Sequence, residues 1–299
     1  MFAARRVAES PAVPASPAPT SSAVGSDQKF AVLRRCRRIW IVAAIHGDVD
    51  RLRAVHDALW PRFDEGDRLV YLGNYMGRGA AIAATIDELL QFRCAVIARP
   101  RMFASDLVYL RGSQEEMWEK LLQLQFAVNP REVFEWMLPQ GVAATIRAYG
   151  GDPERGRAAM RDGAVAIGRW TADLRQRMAE HPGHRPWIAT LRRAAYTDDK
   201  ALLFVHAGID PARALAEQGD ALWWGHSGWA GIVTPYAGFR RVVRGFDRAT
   251  RMRAPFEDGT AGIASQEFTL SVDGGCGFGG PLLALCLSPA GEIVERLEA

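Results

Sequence analysis

Residues 71–79 read Tyr-Leu-Gly-Asn-Tyr-Met-Gly-Arg-Gly, and this glycine-rich stretch decides how the rest of the chain is interpreted. The apolar run Leu69–Leu72 is typical of a buried strand, and the glycines that follow it are typical of a loop. Apolar residues at helical spacing return over Ala80–Leu90. The stretch therefore predicts a strand, a loop and a helix in succession.

The same order recurs along the chain. The β-branched and aromatic run Ile39–Val42 predicts a strand, and Asp50–Trp60 predicts the helix after it. We predict a third strand over Cys94–Ala98. Further strands are predicted in the second half of the chain, at Ala201–Val205, near Arg241–Arg244, at Phe268–Val272 and at Leu282–Leu287. Strands that alternate with helices indicate an α/β layered fold.

Two segments depart from this alternation. Residues 115–195 are mainly helical in pattern, with breaks at prolines, and predict a helical cap beside the carboxyl ends of the strands. Residues 1–29 are rich in Ala, Pro and Ser, a composition that buries too little apolar area to offset the entropy of ordering. We predict a disordered tail over residues 1–37 and one folded domain over residues 38–299.

Composition excludes several classes of protein. The chain has 37 Lys and Arg against 34 Asp and Glu, a net charge of +3, and its arginines form no stripe of the kind that binds nucleic acid. No apolar run reaches the roughly 18 residues of a membrane span. The four cysteines lack paired metal-ligand spacing, which favours reduced thiols in a cytoplasmic protein. We therefore expect neither a nucleic-acid partner nor a membrane partner.

Six separated segments, taken in order, resemble the calcineurin-like metallophosphatases, specifically the bacterial serine/threonine protein phosphatase branch. The cap segment 140–150 is similar to the Gly-Gly-x-x-x-Thr-Leu-x-Ser-Tyr-Gly of that branch. The other five segments are 43–47, 73–79, 111–115, 204–211 and 270–287. The resemblance implies two packed mixed β-sheets flanked by helices, with the cap inserted, and two metal ions about 3.5–4 Å apart that clamp a phosphoryl group.

The metal ligands that the resemblance implies are mostly replaced. The six matching positions are Ala44, His46, Asn74, Ser113, His206 and Phe246. Only His46 and His206 keep a ligand residue. Ala44 replaces an aspartate, and Asn74 replaces the aspartate that bridges the two ions, although its amide oxygen could still coordinate. The remaining two positions lose an asparagine and a histidine, so we expect no bound metal.

The groups for proton transfer are replaced too. Gln114 stands where the family has its general-acid histidine, and Gly77 stands where an aspartate orients that histidine. Arg78 matches a phosphate-binding arginine, whereas Gly225 replaces a second one. We therefore expect no catalytic residue at these degenerate positions, and phosphate binding at Arg78.

The sequence predicts a catalytically inactive pseudophosphatase that binds a protein or a phosphorylated ligand and needs no cofactor. One alternative is an active phosphoesterase or protein phosphatase with a rebuilt site for Mn²⁺ or another divalent pair, and another is a regulatory partner of an active paralogue. Asp247 and His226 are candidate replacement residues. Asp48 and Asp50 are interpreted as helix caps. The tryptophans 223, 224 and 229 are interpreted as core residues, with an aromatic wall beside the site as the alternative.

Overall fold

Two mixed β-sheets with helices on their outer faces make up the computed structural model, which describes residues 29–225, 227–249 and 262–299. Eleven strands lie in the described residues: β1 Phe30–Leu33, β2 Ile39–Val42, β3 Arg68–Tyr71, β4 Leu107–Tyr109, β5 Ala194–Thr197, β6 Leu202–Val205, β7 Arg241–Arg244, β8 Ile263–Ser265, β9 Thr269–Val272, β10 Leu283–Leu287 and β11 Ile293–Glu298. The same residues contain nine α-helices: α1 Val49–Leu59, α2 Ile82–Ile97, α3 Ser113–Leu121, α4 Pro130–Met137, α5 Val142–Ala148, α6 Pro153–Asp162, α7 Ala164–Ala179, α8 His184–Ala189 and α9 Ala221–Trp224.

The strand order brings the carboxyl ends of parallel strands to one edge of each sheet. The five-stranded sheet has the order β11-β10-β2-β3-β4, in which β2, β3 and β4 are parallel. The six-stranded sheet has the order β1-β5-β6-β7-β9-β8, in which β6, β7 and β9 are parallel. This architecture confirms the predicted α/β class with two packed mixed sheets.

Side-chain alternation explains why the two sheets pack face to face. Successive side chains of a strand point to opposite faces, and in β2 Ile39 and Ile41 enter the layer between the sheets. Trp40 and Val42 enter the layer beneath the helices. All four side chains are fully buried. A strand that is buried on both faces therefore reads as a continuous apolar run, which is why β2 can be predicted.

The segment from Ser113 to Ala189 carries six of the helices and occupies the place predicted for the cap. Its buried side chains include Trp118, Phe134, Ile146 and Leu174, and they join the same core as the outer face of β2.

In the described ranges no helix combines the length and the apolar character needed to cross a membrane.

The predicted strand at Cys94–Ala98 is wrong. Residues 94–97 form the last turn of α2, because the buried side chains of Ile86, Leu89 and Val96 recur at helical spacing across its whole length. The third parallel strand of the five-stranded sheet is instead β4, which follows a short loop and pairs with β3.

The predicted tail is too long at its carboxyl end. Residues 30–33 form β1, which pairs in parallel with β5. Arg37 and Arg38 both donate to the buried carboxylate of Asp67, at 3.0 and 2.7 Å, so this part of the chain is fixed by a charge-assisted contact. Residues 1–28 lie outside the described ranges, and for them the predicted disorder stays a prediction.

We expect Asp67→Asn to lower the free energy of unfolding by about 2 kcal/mol at pH 7, since charge-assisted hydrogen bonds are lost. Burial acts to raise the pKa of Asp67, but the bonds from Arg38, Arg37 and the Asp64 backbone hold it below its usual value. A lowered folded-state pKa gives stability that is present above about pH 4 and is lost as the pH falls through the folded-state value. Urea unfolding at pH 7 measures the loss of free energy of unfolding in the variant, and the same experiment at pH 3 measures how far the difference from the wild type narrows.

The matched control is Asp64→Asn, which removes a neighbouring carboxylate whose side chain is 61% exposed and lies 3.5 Å from Arg37. Exposed ion pairs contribute about 0–1 kcal/mol, so this variant should melt close to the wild type. Equal melting of both variants, or a gap between Asp67→Asn and wild type that does not narrow at low pH, contradicts the assigned role of Asp67.

Candidate functional site

The loops at the carboxyl ends of the strands meet across the two sheets. The backbone N–H of Ala44, after β2, donates to Gly245, after β7, at 3.1 Å. His206, after β6, donates its Nδ1–H to the carbonyl of Leu72, after β3, at 2.7 Å. These bonds bring together segments more than 130 residues apart at the edge where α/β sheets bind ligands.

Glu115 holds two of these loops together. Its side chain is fully buried. Its two oxygens accept the backbone N–H groups of Asn74 at 3.0 Å, Tyr75 at 2.9 Å, Met76 at 3.1 Å and Gly112 at 2.8 Å. Burial raises the pKa of the carboxyl, and the backbone N–H groups act to lower it. The carboxylate thus accepts hydrogen bonds from buried backbone N–H groups that the turns themselves leave unpaired.

Three residues of the site have left-handed backbone conformations. The φ angles of His46, Asn74 and Arg78 are 57°, 58° and 58°. A residue with a side chain adopts this region at a cost of about 1–2 kcal/mol, and such residues gather at ligand-binding loops. The loops therefore keep the backbone shape of a site even where the side chains have changed.

The amide of Asn74 is oriented against metal binding. Its Oδ1 accepts from the Ser113 hydroxyl and from the Gln114 backbone N–H, both at 3.0 Å. The Nδ2 group consequently faces the Nε2 of His46, at 3.4 Å. The oxygen that could have coordinated an ion is thus engaged elsewhere, and N–H groups occupy the side on which a bridging carboxylate would present an oxygen.

Phe246 packs between the two remaining histidines. Its ring stacks on His206, with centroids 5.2 Å apart and planes 5° apart, and it meets the ring of His46 edge to face at 5.9 Å. Ala44 and Ala207 complete this small apolar cluster, and Phe246 is only 4% exposed. An apolar ring therefore fills the space between the two imidazoles.

The side chain of Gln114 packs directly against Gly77. Gly77 has a φ of 83°, and a Cβ added there would lie 2.3 Å from the Oε1 of Gln114. Gln114 also donates its Nε2–H to the carbonyl of Gln140 in the cap, at 2.8 Å. The glutamine side chain thus occupies the room that a carboxylate at position 77 would need.

These residues do not fit a pair of divalent ions. No three His, Cys, Asp or Glu side chains converge on a metal-binding geometry anywhere in ranges 29–225, 227–249 and 262–299. Asp48 caps α1, as predicted, by accepting the backbone N–H of Arg51 at 3.1 Å. Asp247 pairs with Arg244 at 2.6 Å and so does not replace the lost histidine. The other proposed replacement, His226, lies outside the described residues.

A cleft of about 780 Å³ opens beside these loops. It is lined by Arg78, Pro139, Gln140, Ala207, Trp224, Gly225, Ser227, Arg244, Asp247, Arg248 and Ala249. Three of these residues are arginines and one is an aspartate. The cleft is therefore cationic, whereas a binuclear metal centre would be lined by carboxylates.

Two of the arginines are stacked on aromatic rings. The guanidinium carbon of Arg78 lies 4.0 Å from the centroid of Phe278, and that of Arg244 lies 4.4 Å from the centroid of Trp229. Burial lowers the pKa of both groups, although an arginine stays charged near neutral pH. Contact with an aromatic ring stabilises each guanidinium group in place.

The architecture agrees with solved phosphatase structures. One, provisionally described as a diadenosine tetraphosphatase, is 15% identical, with a TM-score of 0.50, and the match covers 91% of this chain and 98% of that one. A cold-active protein tyrosine phosphatase is 10% identical, with a TM-score of 0.51, and the match covers 91% and 81%. The chain has the calcineurin-like metallophosphatase fold. No family model and no curated protein matches the chain.

On this fold, the structure brings together the six positions matched to metal ligands, from Ala44 to Phe246, and places Gly77 against Gln114 beside them. Sequence reasoning missed Arg244 and Arg248, which line the same cleft. A signal for Arg244 was present, since a charged residue ends a buried strand at the edge where ligands bind. The assignment to the bacterial serine/threonine branch stays a prediction.

We expect Glu115→Gln to lower the free energy of unfolding by about 3–5 kcal/mol, because one amide N–H₂ group would face two backbone N–H donors. Thermal and urea melts measure the loss. The control is Glu116→Gln, which removes the adjacent carboxylate and its ion pairs with Arg111 and Lys120. That control should cost no more than about 1 kcal/mol. Similar losses in the two variants would show that Glu115 does not hold the loops.

Proposed function

We propose that this protein is a non-catalytic, phosphate-binding member of the metallophosphatase fold, and that the cleft holds its ligand through Arg78 and Arg244. The observation that carries the proposal is a cleft lined by three arginines and one aspartate, which reaches Arg78 and the residue that follows His206. The proposed ligand is a phosphorylated small molecule or a phosphorylated segment of a partner protein.

The state of the arginines supports anion binding. None of the carboxylates in the described residues pairs with Arg78, and its Nε–H lacks a hydrogen-bond partner there. Arg244 pairs with Asp247, lies within the electrostatic reach of Asp273, and donates to the Ser271 hydroxyl at 2.9 Å and to the Ala207 carbonyl at 3.4 Å, so Arg78 is the less compensated of the two arginines. A guanidinium without a carboxylate partner in a partly buried cleft favours an anionic ligand, since a planar fork matches the oxygens of phosphate.

The contacts of the former ligand positions support the absence of catalysis. A binuclear mechanism needs a bridging carboxylate, yet Asn74 directs N–H groups at His46. It also needs space for two ions beside the histidines, and the ring of Phe246 lies between them. Gln114, at the position matched to the general-acid histidine, has no titratable group and cannot donate a proton to a leaving group.

Inorganic phosphate should bind the metal-free protein, and Arg78→Ala should weaken binding at least about tenfold, as expected for loss of one charge-assisted contact. Calorimetric titration at low ionic strength with a chelator present measures this. Arg78→Lys keeps the charge but loses the fork, so its affinity should fall in between. Arg101→Ala, which removes an arginine whose side chain is 76% exposed, is the matched control. Equal affinity in wild type and Arg78→Ala would refute the proposed site.

The melting temperature should be unaffected by chelator or by added Mn²⁺. A metal bound at a hundredfold excess over its dissociation constant would stabilise the fold by about 2.7 kcal/mol. Hydrolysis of an aryl phosphate with Mn²⁺ should stay at background. A melting temperature that falls on chelation, or hydrolysis that disappears in His46→Ala and His206→Ala, would favour the alternative of an active phosphoesterase.

The companion variant restores the four replaced metal-ligand positions and the two replaced positions for proton transfer together. The changes must be made jointly because a carboxylate at position 77 fits only when Gln114 is also replaced. We expect this variant to gain Mn²⁺-dependent stabilisation if the fold retains the shape of a metal site. The six substitutions are Ala44→Asp, Asn74→Asp, Gly77→Asp, Ser113→Asn, Gln114→His and Phe246→His.

A further inference from the structure

We propose that the cleft selects phosphate monoesters whose organic group is a flat aromatic ring, and that Trp224 supplies the surface on which this ring lies. The inference rests on the proposed phosphate site and names the class of ligand that this site takes. Trp224 is thereby the residue that determines specificity, and the arginines supply the affinity for the anion.

The cleft has two kinds of wall. Arg78 and Arg244 come from the loops at the strand ends. Trp224 ends helix α9, and Pro139 belongs to a short 3-10 helix of the cap, Leu138–Gln140. A cationic floor therefore adjoins two apolar rings from different elements, which suits a ligand with one anionic end and one apolar end.

The size of the cleft argues for a ligand larger than phosphate alone. Its volume of about 780 Å³ falls within the roughly 300–1,000 Å³ of small-molecule sites. An inorganic anion held by Arg78 and Arg244 would fill only a small part of this space. The rest of the ligand must then contact the lining that carries no charge, which includes Trp224 and Pro139.

The ring of Trp224 is fixed in place. The ring of Trp136, on helix α4 of the cap, meets it edge to face with centroids 5.8 Å apart and planes at 70°. Trp224 is half-buried and packs against two of the hydrophobic cores. A ring held by its neighbours can accept a second ring without losing conformational freedom, and this is the condition under which stacking contributes most to affinity.

Gly225 keeps the side of the cleft next to this ring open. It has a φ of 76°, and a Cβ placed there would lie 3.3 Å from the carbonyl oxygen of Ala207. A side chain at this position would be strained and would enter the cleft that Trp224 lines. The absence of a side chain at position 225 therefore leaves room for the organic group of a ligand.

The test compares three probes by calorimetry on the full chain with a chelator present: inorganic phosphate, methyl phosphate and phenyl phosphate. In the wild type, phenyl phosphate should bind about five- to tenfold more tightly than methyl phosphate, as expected for one aromatic contact. In Trp224→Leu this ratio should fall to about one, while the affinity for inorganic phosphate stays the same. Trp224→Phe should retain most of the preference.

The matched control is Trp60→Leu, which removes a tryptophan that is 41% exposed and does not line the cleft. It should keep the wild-type ratio. Retained affinity for inorganic phosphate shows that a variant is folded, so a lost phenyl preference cannot be attributed to unfolding.

The outcomes separate the two proposals. If inorganic phosphate does not bind the wild type, the proposed function itself fails. If phosphate binds but phenyl and methyl phosphate bind equally, or if Trp224→Leu keeps the phenyl preference, only the aromatic specificity is overturned.

Discussion

The site depends on one buried carboxylate. Glu115 accepts four backbone N–H groups from the turns after β3 and β4 and so fixes where Asn74 and Ser113 lie. This interaction involves no metal, and it supports the left-handed backbone conformation of Asn74, which would otherwise be costly. The conformation of these loops is therefore held by hydrogen bonds within the protein.

The replacements at the centre support one another. The Oδ1 of Asn74 accepts hydrogen bonds from Ser113 and Gln114, and its Nδ2 contacts the Nε2 of His46. Phe246 fills the space beside the histidines in the same way that Gln114 fills the space over Gly77. The centre is not fully paired, since the Oε1 of Gln114 and the Nε–H of Arg78 are buried without a hydrogen-bond partner among the described residues.

The sequence predicted most of the central strands but not the edges. Runs such as Ile39–Val42 are buried on both faces and therefore give a clear strand pattern, whereas β11 has the irregular sequence Ile-Val-Glu-Arg-Leu-Glu with one buried side chain and was missed. Cys94–Ala98 was assigned wrongly because a short apolar run does not distinguish a strand from the end of a buried helix. The sequence placed the motif residues in one site because each motif follows a strand, and the carboxyl ends of the parallel strands meet at one edge. It could not give the orientation of the Asn74 amide, which is set by contacts about 40 residues away along the chain.

The bonds that join the two sheets at the site have a mechanical consequence. Leu72 and Gly245 accept hydrogen bonds from His206 and Ala44, so the strand ends are linked both within and between the sheets. One sheet cannot slide over the other without breaking these links. The distance between the loop that carries Arg78 and the strand that ends at Arg244 is thus set by the whole sandwich. Distortion of the sandwich far from the cleft would change the spacing of the two guanidinium groups, so the layered core acts as a rigid frame for them.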